Sequence, residues 1–166
     1  DNNGSHIVDW ARMFLGEIAW VRSIPEGPIV NEGPIEGDAS VPFVLGFESG
    51  ACLMTQPLTF ADYRENSLEI WGGGGILSFR QEGLSAAILP RVEHRFLEHA
   101  FEISSDNPTT VLTGQGQAIY ELYGNLTRAL SNGESLWSSG LDALRVMEII
   151  YAIRRSLTED GRRISV

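Results

Sequence analysis

The spacing of apolar residues changes twice along the chain, from a helical period to a strand period and back. Residues 4–16, GSHIVDWARMFLG, carry apolar side chains at helical spacing and predict a short amphipathic helix. Asn3 or Ser5 is placed to cap its start, and Gly16 is placed to end it. The alternation in residues 17–24, EIAWVRSI, predicts a strand, and the proline- and glycine-rich residues 25–38 predict a loop.

Strand-like runs separated by glycine or polar turns fill the middle of the chain, which indicates antiparallel pairing. They are SVPFVLGFE (40–48), ACLMTQPL (51–58), NSLEIWG (66–72), GILSFRQEG (75–83) and LSAAILPR (84–91). WGGGGI (71–76) predicts a hairpin turn, because glycine adopts positive φ without a steric penalty. FLEHAFEIS (96–104) fits either a strand or a helix.

Two helices and a short strand are predicted for the last third of the chain. QAIYELYGNLTRALSNG (117–133) ends at Gly133 and places five apolar residues on one face: Ile119, Leu122, Tyr123, Leu126 and Leu130. SGLDALRVMEIIYAIRRSL (139–157) begins with Ser139 and Asp142 at capping-box spacing, and its all-round apolar surface predicts burial against a sheet. DGRRISV (160–166) predicts a turn and a strand. The order predicts one α+β domain over residues 1–166, a mostly antiparallel open sheet with helices packed on one face.

Composition excludes several classes of function. The formal net charge of −10 argues against a nucleic-acid partner. No apolar run approaches the roughly 20 residues of a membrane span, and no secretion signal is visible, so no membrane partner is expected. A lone Cys52 forms no internal disulfide and no structural zinc site, which favours a cytoplasmic protein without a metal. All 12 basic residues are arginine, which excludes a Schiff-base or Walker-type lysine in this segment.

Three tempting motifs do not support a site. TTVLTGQGQAIYELY looks like the start of a dinucleotide site with Glu134 as the ribose-binding acid, but Ile119 replaces the third glycine and too little chain follows. The four glycines at 72–75 give no G-x-G-x-x-G in either register. His94 and His99, in RVEHRFLEH, lack partners at metal-ligand spacing and are expected to be solvated.

His6 is the candidate for acid–base chemistry. We expect it in the first turn of the first helix, where the helix dipole disfavours the imidazolium and leaves a neutral ring that can accept a hydroxyl proton. Asp9, three residues on, is placed to orient the ring or to brace the helix. A capped helix with a merely polar surface histidine is the alternative.

Two stretches resemble the C-terminal domain of the Gfo/Idh/MocA oxidoreductases, the family of glucose-fructose oxidoreductase and inositol dehydrogenase. NNGSHIVDWARMFLGEIAWV is similar to the family's D/N-x-G-x-H-x-x-D…L-x-G-E run, and SSGLDALRVMEIIYAIRRSLTEDGRRISV is similar to its closing helix and strand. The two stretches bracket residues 2–166, and NSLEIWGGGGILSF between them is similar to the family's strand, glycine turn and strand.

The resemblance implies a two-domain enzyme whose N-terminal Rossmann domain holds NAD or NADP and supplies a lysine from an E-K-P motif. Neither the glycine fingerprint nor a lysine exists here, so we expect the chain to begin at the domain border and to bind no cofactor by itself. His6 matches the family's substrate-site histidine. Asn2 stands where the family has an acid, so it can bind a sugar hydroxyl but cannot act as a base. Tyr63 and Arg64, just before LEIWG, are expected to contact substrate.

The implied reaction is hydride transfer between the nicotinamide C4 and a carbon of a sugar, nucleotide sugar or cyclitol, with His6 and the lysine of the missing domain handling the hydroxyl proton. The resemblance also implies a homo-dimer or homo-tetramer. This fragment alone is expected to be inactive. The alternative is a non-catalytic module that binds a carbohydrate or dimerises through its open sheet.

Overall fold

The computed structural model describes residues 2–27, 40–59, 62, 65–104 and 106–166, so most of the predicted loop at 25–38 lies outside the described residues. The chain divides into two compact units, residues 1–63 with 137–166 and residues 64–136. Three helices are described: α1 (Asn2–Leu15), α2 (Ala118–Asn132) and α3 (Gly140–Thr158). The described strands are β1 (Ile18–Ser23), β2 (Phe43–Phe47), β3 (Cys52–Met54), β4 (Leu68–Gly72), β5 (Gly75–Arg80), β6 (Ser85–Glu93), β7 (Phe101–Ile103), β8 (Thr109–Val111) and β9 (Ile164–Ser165).

The first unit is a four-stranded antiparallel sheet, in the order β3-β2-β1-β9, with α3 packed on β1 and α1 packed on α3. Its core joins the inner side chains of the sheet to the facing sides of both helices. The fully buried apolar residues are Val8, Ala11, Ile18, Val21, Leu45 and Ile149. The unit therefore has the predicted layering, with helices on one face of an antiparallel sheet.

The second unit is a sheet in the order β4-β5-β6-β7, with β8 also paired to β6. Gly72 pairs with Gly75 across a two-residue turn, which confirms the hairpin predicted from the glycine run. Gly75 has φ +144°, and a Cβ at this position would overlap the carbonyl oxygen of Leu89, so the turn requires glycine here. The ambiguous segment 96–104 contributes β7, preceded by a loop.

The α+β class is confirmed, whereas the strands that the structure describes form two sheets and not the predicted single sheet. The described residues between β3 and β4 belong to no strand. The burial predicted for α3 holds on one side only. Val146, Ile149 and Ile153 face the sheet, while Leu141, Leu144, Met147 and Tyr151 are exposed. A helix that packs against a single sheet buries only the side that faces the sheet, even where its other sides carry apolar residues.

Helix α2 places its five predicted apolar residues on one side, and Gly133 ends it in a left-handed conformation at φ +71°. That apolar stripe is exposed in the structure. Within the described residues, α2 therefore does not bury its apolar side as α3 does. None of the helices in the described part of the chain is long and apolar enough to cross a membrane.

Candidate functional site

Helix α1 turns His6 away from the core. Val8 and Ala11 are fully buried against the rest of the first unit, and they lie on one side of the helix. His6, Asp9 and Met13 follow the opposite side at spacings of three and four residues, and all three are exposed. The helix therefore presents an imidazole and a carboxylate on one accessible stripe, here called the His6 stripe.

The helix begins at Asn2, earlier than predicted. Asn3 and Ser5 therefore lie inside it, and the prediction that one of them caps its start is wrong. His6 is the fifth helical residue and belongs to the second turn. Because the field of a helix end falls off within the first turn, the argument for a neutral ring from the helix dipole no longer applies. His6 remains a candidate because of its exposure and its neighbour Asp9.

An ion-pair network fixes the end of α1 that is remote from His6. The guanidinium of Arg12, only 11% exposed, donates to Oε1 of Glu17 at 2.7 Å and to the backbone carbonyl of Asp142 at 3.4 Å. Nε of Arg145, on α3, lies 3.4 Å from the other carboxylate oxygen of Glu17. The hydrogen bond from Arg12, helped by Arg145, holds the pKa of Glu17 below its usual range, against a smaller effect of burial. The network ties α1 to α3 and so sets the direction in which the His6 stripe faces.

The start of α3 is itself held by the predicted capping box. The Ser139 hydroxyl accepts from the Asp142 amide at 3.3 Å, and Oδ2 of Asp142 accepts from the Ser139 amide at 2.8 Å. Hydrogen bonds from Ser139 lower the pKa of Asp142, which is therefore ionised close to Arg12. Sequence analysis missed the role of Arg12. The available signal was an arginine in the last turn of a helix, five residues before a glutamate.

Several predicted site residues lie outside the described part of the structure. Tyr63 and Arg64 are not described, and for Asn2 the backbone is described as helical while the side chain is not. The structure thus brings His6 and Asp9 together on one stripe. Substrate contacts by Asn2, Tyr63 and Arg64 remain predictions.

The two histidines of the β6–β7 loop differ from each other. His99 is exposed, as expected. His94 is only 26% exposed in its side chain, and its Nδ1 accepts hydrogen bonds from the amides of Phe96 and Leu97. His94 is therefore only partly solvated, because its ring also accepts hydrogen bonds from the turn that follows it. Within the described residues no group of three or more His, Cys, Asp or Glu side chains is placed to hold a metal ion.

The second glycine motif forms a turn that leads into a helix. Gly114 adopts a left-handed conformation, a short 3-10 turn spans Gln115–Gln117, and α2 follows. The strand before it, β8, runs antiparallel to its partner β6. A dinucleotide fingerprint needs a parallel strand–helix–strand unit, so this turn does not build one.

No family model matches the chain, and no curated protein matches it. Solved structures do match. An oxidoreductase from Agrobacterium radiobacter, in complex with NAD+, L-tartaric acid and magnesium, is 19% identical with a TM-score of 0.65, over 98% of this chain and 47% of its own. An aldose-aldose oxidoreductase from Caulobacter crescentus, complexed with glycerol, is 20% identical with a TM-score of 0.64, over 98% and 46%.

A third match is the WlbA dehydrogenase from Bordetella pertussis in complex with NADH and UDP-GlcNAcA, 21% identical with a TM-score of 0.64, over 99% of this chain and 45% of its own. The chain thus spans about half the length of the solved structures that it matches. At these identities the likeness establishes the fold. The chain has the α+β fold of oxidoreductase C-terminal domains, and its resemblance to the Gfo/Idh/MocA oxidoreductases is confirmed at the level of fold.

Proposed function

We propose that this chain is the substrate-binding C-terminal part of a longer NAD(P)-dependent oxidoreductase that acts on a sugar, a nucleotide sugar or a cyclitol. The observation that carries the proposal is the likeness over 98–99% of the chain to about half of each of several oxidoreductases. Two of them support the substrate class, one by its activity on aldoses and one by its bound UDP-GlcNAcA.

His6 is the residue assigned to proton transfer. It is exposed on α1, and the helix is anchored at its other end by Arg12 and Glu17, which restrain its rotation. A neutral imidazole takes the proton of a substrate hydroxyl as the carbon is oxidised, and returns it in the reverse direction. Asp9, one turn along the same stripe, is assigned to orient the ring or to brace the helix. Asn2, Tyr63 and Arg64 are assigned to substrate binding.

The nicotinamide cofactor would not be held by the described residues of this chain. Every ladder that the described strands β1 to β9 form with one another is antiparallel, and neither glycine turn lies in a parallel strand–helix–strand unit. The dinucleotide site therefore belongs to the remainder of the protein, a Rossmann domain in this proposal. A bound nicotinamide would supply the hydride chemistry, whereas this chain would supply His6 as the acceptor of the hydroxyl proton and the residues that bind the substrate.

We also assign a homo-oligomer, a dimer or tetramer, to the intact protein. The register of the second sheet puts Leu68, Ile70, Leu77, Phe79 and Ile88 on one face, and most of them are partly exposed. Apolar strand faces of this kind are typical of interaction surfaces. Light scattering at micromolar concentration gives the mass, and a strictly monomeric protein would contradict this assignment.

The decisive experiment uses the full reading frame. Its upstream part is expected to encode a G-x-G-x-x-G fingerprint and an E-K-P motif, and the purified protein is expected to reduce NAD or NADP with at least one member of a panel of aldoses, nucleotide sugars and cyclitols. A reading frame without those motifs, together with an inert protein, would favour a non-catalytic carbohydrate-binding or dimerisation module.

A further inference from the structure

The loop between β6 and β7, residues 94–100, closes over the ring of His94. The backbone amide of His94 donates to the carbonyl of Ala100 at 3.0 Å, which closes the base of the loop. Nδ1 of the same residue accepts hydrogen bonds from the backbone amides of Phe96 and Leu97, both at 3.1 Å. An imidazole nitrogen accepts hydrogen bonds only while it carries no proton. The described conformation therefore requires the neutral ring with its proton on Nε2.

The other ring nitrogen faces a carboxylate. Nε2 of His94 lies 3.8 Å from Oε2 of Glu102 on β7, and the second oxygen of Glu102 accepts from Nε of Arg95 at 3.0 Å. The titratable and charged groups around the loop come from β6, from the loop itself and from β7. They are Glu93, Arg95, Glu98, His99 and Glu102, together with Asp106 beyond β7, which interacts electrostatically with Arg95. Glu102 is the carboxylate within ion-pair distance of the ring, so it offers an imidazolium a partner that the amides cannot offer.

We propose that His94 is a pH-sensitive switch for the 94–100 loop. In the neutral state its Nδ1 lone pair holds the amides of Phe96 and Leu97. A proton added to Nδ1 turns this acceptor into a donor, so both hydrogen bonds are lost and two amides are released to water. The new charge lies beside Glu102, and the surrounding sheet is retained because the ladder between β6 and β7 does not use the ring.

The switch controls how two apolar side chains are presented. Phe96 is 83% exposed and Leu97 is 59% exposed at the tip of the loop. The backbone amides of both residues donate to Nδ1 of His94, so the ring restrains the backbone that carries these side chains. Acidification that protonates the ring therefore frees the tip.

An NMR titration of the chain between pH 8 and pH 5 tests the switch. At pH 8 the ring nitrogen spectrum is expected to show His94 protonated on Nε2 alone. The amide resonances of Phe96 and Leu97 should then move with the same midpoint as the ring. Their protection against exchange with water, corrected for the intrinsic pH dependence, should fall by about tenfold, the effect of losing one or two hydrogen bonds.

Three variants separate the switch from general loosening of the loop. His94→Asn keeps an acceptor oxygen at the position of Nδ1 and does not titrate, so its two amides should stay protected throughout. His94→Ala should leave both amides unprotected at every pH. His99→Asn removes the other histidine of the loop and should behave like the parent chain. Loss of protection on acidification in His94→Asn, or its persistence in the parent chain, would overturn the proposal.

Discussion

The hydroxyl oxygen of Ser156 accepts the backbone amide of Ser23 at 2.8 Å, and both residues are completely buried between α3 and β1. The same hydroxyl donates to the carbonyl of Arg162 at 2.6 Å, while the Ser23 hydroxyl donates to the carbonyl of Ile153 at 2.7 Å. Two serines thus satisfy the polar groups of the strand end, the helix and the turn after it. These hydrogen bonds lie at the contact between α3 and β1, so we expect the stability of the first unit to depend on them.

Ser156→Ala is expected to lower the free energy of unfolding by about 1–3 kcal/mol, because the buried Ser23 amide is left without a partner and the Arg162 carbonyl loses a hydrogen bond. Denaturant unfolding followed by tryptophan fluorescence measures the change. Ser165→Ala, at an exposed position on β9, is the matched control and should change stability by less than about 0.5 kcal/mol. Equal effects of the two substitutions on the free energy of unfolding would contradict a stabilising role of the Ser156 hydrogen bonds.

Gly46→Ala is expected to destabilise the first sheet by about 1–3 kcal/mol. Gly46 pairs with Trp20 across β1 and β2, and a Cβ at position 46 would overlap the indole ring. The guanidinium of Arg163 lies 4.3 Å from the centre of that indole, which restricts its movement. Gly140→Ala, where the added methyl meets no atom within 4 Å, is the control. A double variant with Trp20→Leu should recover part of the loss.

The features that sequence analysis predicted correctly are those determined by residues that lie close together in the chain. The Ser139–Asp142 capping box, the stop at Gly133 and the hairpin around Gly72–Gly75 each depend on hydrogen bonds or φ angles within a few residues. Such signals survive any tertiary arrangement, and all three are present in the structure.

The features that it missed depend on contacts between distant segments. Arg12 and Asp142 are separated by 130 positions, so no local pattern announces their contact. The division of the described strands into two sheets likewise depends on which strands pair with each other. The hydrogen bonds to His94 were missed for a different reason, since the capping of nearby amides by a histidine ring depends on loop geometry that the residue types do not specify.

Acidification should weaken the link between α1 and α3 through Glu17. Its pKa is lowered in the folded chain from an ordinary value of 4.5, chiefly by the hydrogen bond from Arg12. A lowered folded-state pKa means that the stabilisation is present above about pH 4.5 and is lost as the pH falls through the folded value. Because the carboxylate is partly exposed, the effect is modest. Glu17→Gln should flatten the pH dependence of stability in this range, whereas Glu48→Gln, an exposed change in the same unit, should leave it unchanged.

His6→Ala in the full-length protein is expected to lower kcat by about 10²–10⁴-fold, the usual contribution of a general acid–base group. Since His6 is exposed, the free energy of unfolding should hardly change. Met13→Ala, on the same stripe, serves as the control for surface changes on α1. Unchanged turnover of His6→Ala at normal stability would make His6 a polar surface residue of a capped helix.

The chain of residues 1–166 is expected to bind neither NADH nor NADPH. Dinucleotide binding needs a glycine turn between a strand and a helix of a parallel unit, so that backbone amides reach the pyrophosphate. Here the turn at Gly114 follows a strand that is paired antiparallel, and Ile119 occupies the place of the third glycine. The formal net charge of −10 adds a general repulsion of an anionic ligand. Calorimetric titration is the measurement, with the full-length protein as the positive control. Saturable binding to the chain alone with a Kd below about 1 mM, roughly −4 kcal/mol, would mean that these residues hold a dinucleotide site after all.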